Sequence, residues 1–250
     1  MGWLARLVDV VRGRSRLRTD APPAGQLQSI DAVCERMRQI ALPMAPGDGL
    51  GAFNGMYLQV TELVRDRIAQ GYFGSAEFMT RLDIVFAGMY LEAVDAPSPS
   101  SAWAPVFEAR HQSGRLPIQF ALAGMNAHIN HDLPIALVAA CRQLGLGPES
   151  AGVHDDYQRV TDLLAAAQEK VRQSFLDGIA LEVDRDVAGP VANLIGAWSI
   201  GRARDAAWVN AGVLWRLDGV EPLCQDFLTT LSSSVGLAGR VLLTPVAELG

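Results

Sequence analysis

Five residues able to do chemistry fall within seven positions of "FALAGMNAHINHDLPIAL" (Phe120–Leu137): Asn126, His128, Asn130, His131 and Asp132. From Leu116 to Cys141 the only formally charged side chain is Asp132. A surface helix would carry a charged face, so this one is expected to lie inside the molecule with its polar groups buried. At about 100° per residue, Asp132 lies about 40° from His128, with His131 about 60° to the other side. The three share one face, and His128 and Asp132 stand one turn apart. Asn126 and Asn130 share the opposite face.

An imidazole and a carboxylate in a low-dielectric pocket suit general acid/base catalysis, with His128 as base and Asp132 orienting it. Two histidines and a carboxylate are equally a ligand set for zinc or non-haem iron. In that version His128 and Asp132 are the easier ligands, because the adjacent His131 and Asp132 reach one ion only awkwardly. A third reading needs neither: a buried hydrogen-bond network that locks helices in register. Pro134 lacks an N–H, so the Asn130 carbonyl loses its usual partner and a kink is expected there.

The elements around this stretch are helical. "LQSIDAVCERMRQIAL" repeats Ile30, Val33, Met37 and Ile40, and "FNGMYLQVTELVRDRIAQGYF" repeats Phe53, Met56, Tyr57, Val60, Leu63, Val64 and Ile68. Ser75 is the expected N-cap of "AEFMTRLDIVFAGMYLEAV". "AWAPVFEARHQ" predicts a shorter helix, and "LGLGPES" ends the central one. Helices are expected from Asp155 to Ile179, from Pro190 onward, and over "EPLCQDFLTTLSSSVGLAGRVLL", the last weakened by Gly236 and Gly239. No alternating strand pattern and no repeat of 20–50 residues occurs. The fold class expected is all-α: a single-domain multi-helix bundle over residues 27–250 around a buried, kinked central helix. Residues 1–18 form a basic amphipathic arm with Trp3, Leu4, Leu7, Val8 and Val11 on one stripe, and residues 19–26 a linker containing proline and glycine.

Candidates to complete the site are polar residues set in other helices. Asn54, Tyr57 and Thr61 share a stripe, as do Asp83 and Tyr90 around Phe86. Asp83 is the more informative, because a buried carboxylate can orient an imidazole. His154 is a candidate third metal ligand, although acids beside it at a helix start need no more than the helix dipole. Arg202 or Arg204 could serve as counter-ion to Asp132 or as a clamp for a substrate carboxylate. Trp103, Trp198, Trp208 and Trp215 could wall an apolar pocket. "GDGLGAFNG" has neither the preceding strand nor the lysine of a phosphate loop, and GxSxG and HExxH are absent.

"NAHINHDLPIAL", with "FNGMYLQVT" upstream and "RDAAWVNAGVLWRL" downstream, resembles an uncharacterised family of bacterial helical proteins marked by an N-A-H-I-N-x-D-L-P helix. The resemblance covers most of the chain after about residue 30. It maps onto Asn126, His128, Asn130, Asp132, Leu133 and Pro134 and leaves His131 at the variable position. It implies a site location and no established activity.

Composition narrows the partners. A net charge of −6 is the wrong sign for a general nucleic-acid binder. The basic residues number 21, with Lys170 the one lysine, and this reads as genome composition. Cys34, Cys141 and Cys224 form no CxxC, and a reducing cytoplasm is the expected location. The arm could touch an anionic membrane surface or a protein partner. The function expected is a small-molecule enzyme, a metal-assisted hydrolase being weighed just ahead of metal-free acid/base chemistry. Catalysis would rest on His128 and Asp132. Support or substrate binding would come from Asn126, Asn130, Tyr57, Asp83, Arg202 and Arg204, and a divalent metal such as zinc or iron would sit on His128, Asp132 and His154. The alternative is a non-catalytic ligand-binding or scaffold protein whose polar cluster is structural.

Overall fold

The structure is a computed structural model that describes residues 27–45, 47–165 and 198–248. Among these residues every regular element is a helix. We label them α1 (Ile30–Ala41), α2 (Gly49–Ala69), α3 (Ala76–Asp95), α4 (Ala104–Ala109), α5 (Pro117–Ala127), a π-helical segment (His128–Asp132) and α6 (Leu133–Gln143). They are followed by α7 (described over residues 153–165), α8 (Ile200–Arg216) and α9 (Glu221–Leu242).

Helix starts follow local chemistry. Ser29, Ser75 and Ser199 each accept the hydrogen bond of a backbone N–H in the first turn of α1, α3 and α8. Asp48 caps α2 and is gripped by Arg110, whose guanidinium reaches both carboxylate oxygens. The start of α5 is tied to the end of α9 by Gln119. Its Oε1 accepts from the Leu116 N–H, and its Nε2 donates to the carbonyls of Leu242 and Thr244.

The stretch from α5 to α6 is the buried centre. Its first half packs between α2 and α9, and its second half between α3 and α8. Residues Leu133 to Cys141 are all buried. Burial of so apolar a segment is the main driving force for assembling these helices. Gly124 lets α5 approach α2 closely, since a Cβ there would lie 2.4 Å from the Phe53 ring.

Three expectations change. The helix expected from Pro190 starts, among described residues, at Ile200, and residues 166–197 lie outside the described residues, as do the arm (1–18) and linker (19–26). Gly236 and Gly239 do not interrupt α9, which runs through both. They are its points of closest approach to Ser101 and Pro105. At Pro134 the chain forms a π turn, with the Leu133 N–H donating to the His128 carbonyl. Proline clashes with the carbonyl four residues earlier in an α-helix, and a turn widened to five residues makes room for the ring. Such π turns are rare and recur at functional sites.

Candidate functional site

The π segment places a compact polar cluster in the core. Asp132 Oδ2 accepts from His128 Nδ1 at 3.0 Å and from Trp103 Nε1 at 2.9 Å, and Oδ1 accepts from His131 Nδ1 at 2.7 Å. His128, His131 and Asp132 are each 1–2% exposed. A carboxylate only accepts, so each imidazole must carry its proton on Nδ1. The second nitrogen, Nε2, is then a bare base on His128. That atom is buried with no hydrogen-bond partner among the described residues.

The His128 ring stands in an aromatic cage. Phe86 stacks on it at 3.6 Å and 6°, and Tyr57 meets it edge-on at 4.4 Å. Phe53, Tyr90 and Trp103 complete the surround. Burial disfavours the imidazolium and pushes the His128 pKa down, against the pull of Asp132. Burial also pushes the Asp132 carboxyl up, but the hydrogen bonds from His128 and His131 outweigh it and hold the group below its usual range. The dyad at rest is therefore a neutral imidazole on an ionised carboxylate.

His131 belongs to this cluster, as its shared face suggested, although the family motif leaves it at a variable position. Trp103 was anticipated only as a pocket wall, and its indole N–H is a third donor to Asp132. Nothing local to "SSAWAPVF" marks that role; the contact spans 29 residues of chain. Tyr57 and Asp83 are both buried, with Asp83 Oδ2 lacking a hydrogen-bond partner among the described residues. The Tyr90 hydroxyl is satisfied by Asn54 Oδ1, and Asn54 Nδ2 donates to the Met37 carbonyl.

Other expected members lie elsewhere. His154 is exposed, bonded to Gln158 and packed on Trp208. It does not join His128 and Asp132. Among the described residues no three His, Cys, Asp or Glu side chains are grouped to hold a metal. His128 and Asp132 also turn their facing atoms on each other, so they do not chelate one ion together. Arg204 is buried, but its guanidinium bonds to Thr161 Oγ1 and the Tyr157 carbonyl and lies 4.2 Å over the Tyr157 ring. The negative charge of Asp132 is instead met by three N–H donors. Arg202 is exposed at the rim of an open pocket of about 630 Å³ between α8 and α9.

Asn126 and Asn130 reach that pocket from the far face of the central helix. Asn126 is buried and donates to the Val235 carbonyl on α9 at 2.9 Å, fixing a neighbouring helix as its face suggested. Asn130 is only half-buried and donates to Asn126 Oδ1 on its own helix.

Burial pushes the Asp83 carboxyl up to about 7. Its folded pKa lies above the unfolded value, so the fold binds a proton that the unfolded chain releases. The contribution of Asp83 to stability therefore falls as pH rises from about 4 to 7 and then levels. At about 1.4 kcal/mol per pKa unit, the upper bound of this loss is roughly 4 kcal/mol. Asp83→Asn is expected to remove this contribution, so that its stability relative to the parent protein rises by about 2 kcal/mol or more from pH 5 to pH 8. Urea unfolding at pH 5, 6.5 and 8 measures this, and parallel slopes for the two proteins would remove Asp83 as their source.

An all-α bundle with a histidine–carboxylate cluster sealed at a π turn is the class of protein that this geometry defines. The chain belongs to the family described as "Family of unknown function (DUF5995)", whose model matches residues 30–245. No curated protein and no solved structure matches it. No described helix is long and apolar enough to cross a membrane.

Proposed function

We propose that this protein is a small-molecule enzyme using acid/base chemistry at His128, with Asp132 as the group that sets its tautomer and orientation. One observation carries the reading: Asp132 gathers three N–H donors, which leaves His128 Nε2 as a buried base without a partner among the described residues. A carboxylate that holds an imidazole by Nδ1 and frees Nε2 is the arrangement by which histidine serves as a general base. A neutral resting imidazole is ready to accept a proton. The proposal places the protein in the cytoplasm, in keeping with three buried free cysteines, with a small molecule as partner and no nucleic acid. Residues 1–18 would supply any contact with a membrane surface or a protein.

The test is consumption of compounds from a small-molecule extract, followed by mass spectrometry. We expect a compound that the parent protein converts and His128→Ala does not, with both proteins folded. Equal conversion by both would end the assignment of His128.

A second reading has its own observation. The open pocket over Asn126 and Asn130 faces away from the closed His128 cage. A non-catalytic binder would use that pocket, with Arg202 at its rim and the His/Asp cluster as a structural network. On that reading, His128→Ala changes stability alone and Arg202→Gln changes ligand binding.

A further inference from the structure

Of the three donors to Asp132, one comes from another element. His128 and His131 lie on the π segment with the carboxylate, so their bonds move with that segment as a unit. The Trp103 indole N–H arrives from 29 residues away and ties the same carboxylate to the rest of the core. It also arrives at one particular atom. Oδ2 accepts from Trp103 Nε1 at 2.9 Å and from His128 Nδ1 at 3.0 Å, while Oδ1 accepts from His131 Nδ1 at 2.7 Å. Two N–H groups on one oxygen compete, because the partial positive charge of each lowers the negative potential that the other meets.

The indole is held where it is. Trp103 is buried, and its ring packs against Phe53, Tyr90 and His128 itself. Its backbone N–H donates to the Ser100 carbonyl, and the neighbouring Ala102 N–H donates to Ser232 Oγ on α9. An indole N–H can only donate, so its bond to Asp132 does not depend on the protonation state of anything else in the cluster.

We propose that Trp103 is a positioning residue for His128: its N–H holds Asp132 Oδ2 against His128 Nδ1 and, by sharing that oxygen, lowers the basicity of His128 Nε2. This rests on the reading of His128 as the base of the protein. An imidazolium is stabilised by the carboxylate charge opposite its Nδ1, and a second donor on that carboxylate oxygen takes part of the charge away. His128 is then neutral, and able to accept a proton, over a wider range of pH. The other titratable groups among the buried residues of the helices around the cluster are Tyr57 on α2, Asp83 and Tyr90 on α3, Cys141 on α6, Arg204 on α8 and Cys224 on α9. Burial keeps both tyrosines protonated, and Arg204 is engaged by Tyr157 and Thr161. The charges that act on His128 are those of Asp132 and His131. A change in the donors to Asp132 is therefore felt directly at His128.

The experiment replaces Trp103 in the full chain with β-(3-benzothienyl)alanine, which keeps the bicyclic ring and exchanges the N–H for sulfur. Trp103→Phe is the second variant. Histidines labelled with ¹⁵N are followed by NMR from pH 4.5 to 8, with His128 assigned by difference against His128→Ala. With the indole N–H gone, the His128 protonation midpoint should rise so that a proton binds about tenfold more tightly, the scale of one hydrogen bond to a charged group. The His128 Nδ1–H resonance should move downfield at pH 7.5 as its bond to Oδ2 strengthens, and this reading needs no titration. His131, on the other oxygen, should move less. Trp103→Phe should show the same shifts, and the isostere preserves the packing, so the test does not depend on the phenylalanine variant folding. A His128 midpoint and Nδ1–H resonance unchanged in the isostere would make Trp103 a packing residue only and overturn the proposal, whatever the activity of the protein. Shifted resonances, together with equal compound conversion by the parent and His128→Ala, would uphold the link from Trp103 to His128 and overturn the reading of His128 as the base.

Discussion

Asp132→Ala should cost about 3–5 kcal/mol of stability, the range for stripping the partner from buried charged or polar groups. The alanine leaves Trp103 Nε1, His128 Nδ1 and His131 Nδ1 without their acceptor in a core closed by aromatic rings. Asp132→Asn should lose less, because one amide oxygen still accepts. Its NH₂ group, however, must face an imidazole that now has to present a bare Nδ1. That ring is His131, because the Trp103 indole can only donate and so keeps the amide oxygen at the Oδ2 position that it shares with His128. His131 changes tautomer, and the asparagine variant should fold with His128 Nε2 still bare but without the charge that stabilises an imidazolium. Denaturant unfolding near pH 7.5 and ¹⁵N NMR of the histidines separate the two effects. A loss under 1 kcal/mol for the alanine would mean that the donors find other acceptors.

The same cluster sets the acid limit of the fold. His128 has a folded pKa pushed below 6.5 by burial, so its contribution is present above about pH 6.5 and is lost as pH falls through that range. Asp132, held below 3.8 mainly by its histidine bonds despite its burial, loses its contribution only as pH falls below about 4. Asp83 works in the opposite direction between pH 4 and 7. The parent protein should therefore show a shallow pH dependence there, and Asp83→Asn should expose the His128 limb as a steeper loss on acidification.

Gly236→Ala is the second large effect. A Cβ at this position would lie 2.1 Å from the Ser101 carbonyl oxygen and 2.9 Å from its carbon. The obstacle is backbone, and that backbone is held: the Ala102 N–H donates to Ser232 Oγ on the same face of α9. Overpacking usually costs 1–3 kcal/mol and more where neighbours cannot yield, so about 3 kcal/mol or greater is expected, less the small helix-propensity gain of alanine. The displaced turn carries Trp103, so the near-ultraviolet circular dichroism should change as well. Gly55→Ala is the control. Gly55 also lies within a helix, but nothing stands within 4 Å of its added Cβ. It should gain about 0.5–1 kcal/mol. If Gly236→Ala were as stable as the parent protein, the turn at 100–103 would be free to move off α9.

Sequence alone determined what depends on spacing along one helix. The apolar run from Leu116 to Cys141 with a single charge required a buried central helix, and the four-residue interval of His128 and Asp132 required that they meet. The serine ahead of α3 announced its cap in the same way. These follow from helical geometry and local hydrogen bonding, which a short segment carries within itself. The tertiary structure decided what depends on a choice among equivalents. Any of several tryptophans could have met Asp132, and the packing of α9 on the 100–103 turn selected Trp103. Arg204 was as plausible a counter-ion as any buried arginine, and the position of α7 gave it to Tyr157 and Thr161 instead. The π turn adds a residue to one turn of helix, which periodicity cannot reveal, and within it both histidines of the shared face bond to Asp132. Asn130 was expected to be sealed and is half-open, because exposure is set by the gap between α8 and α9 and not by its own neighbours in the chain.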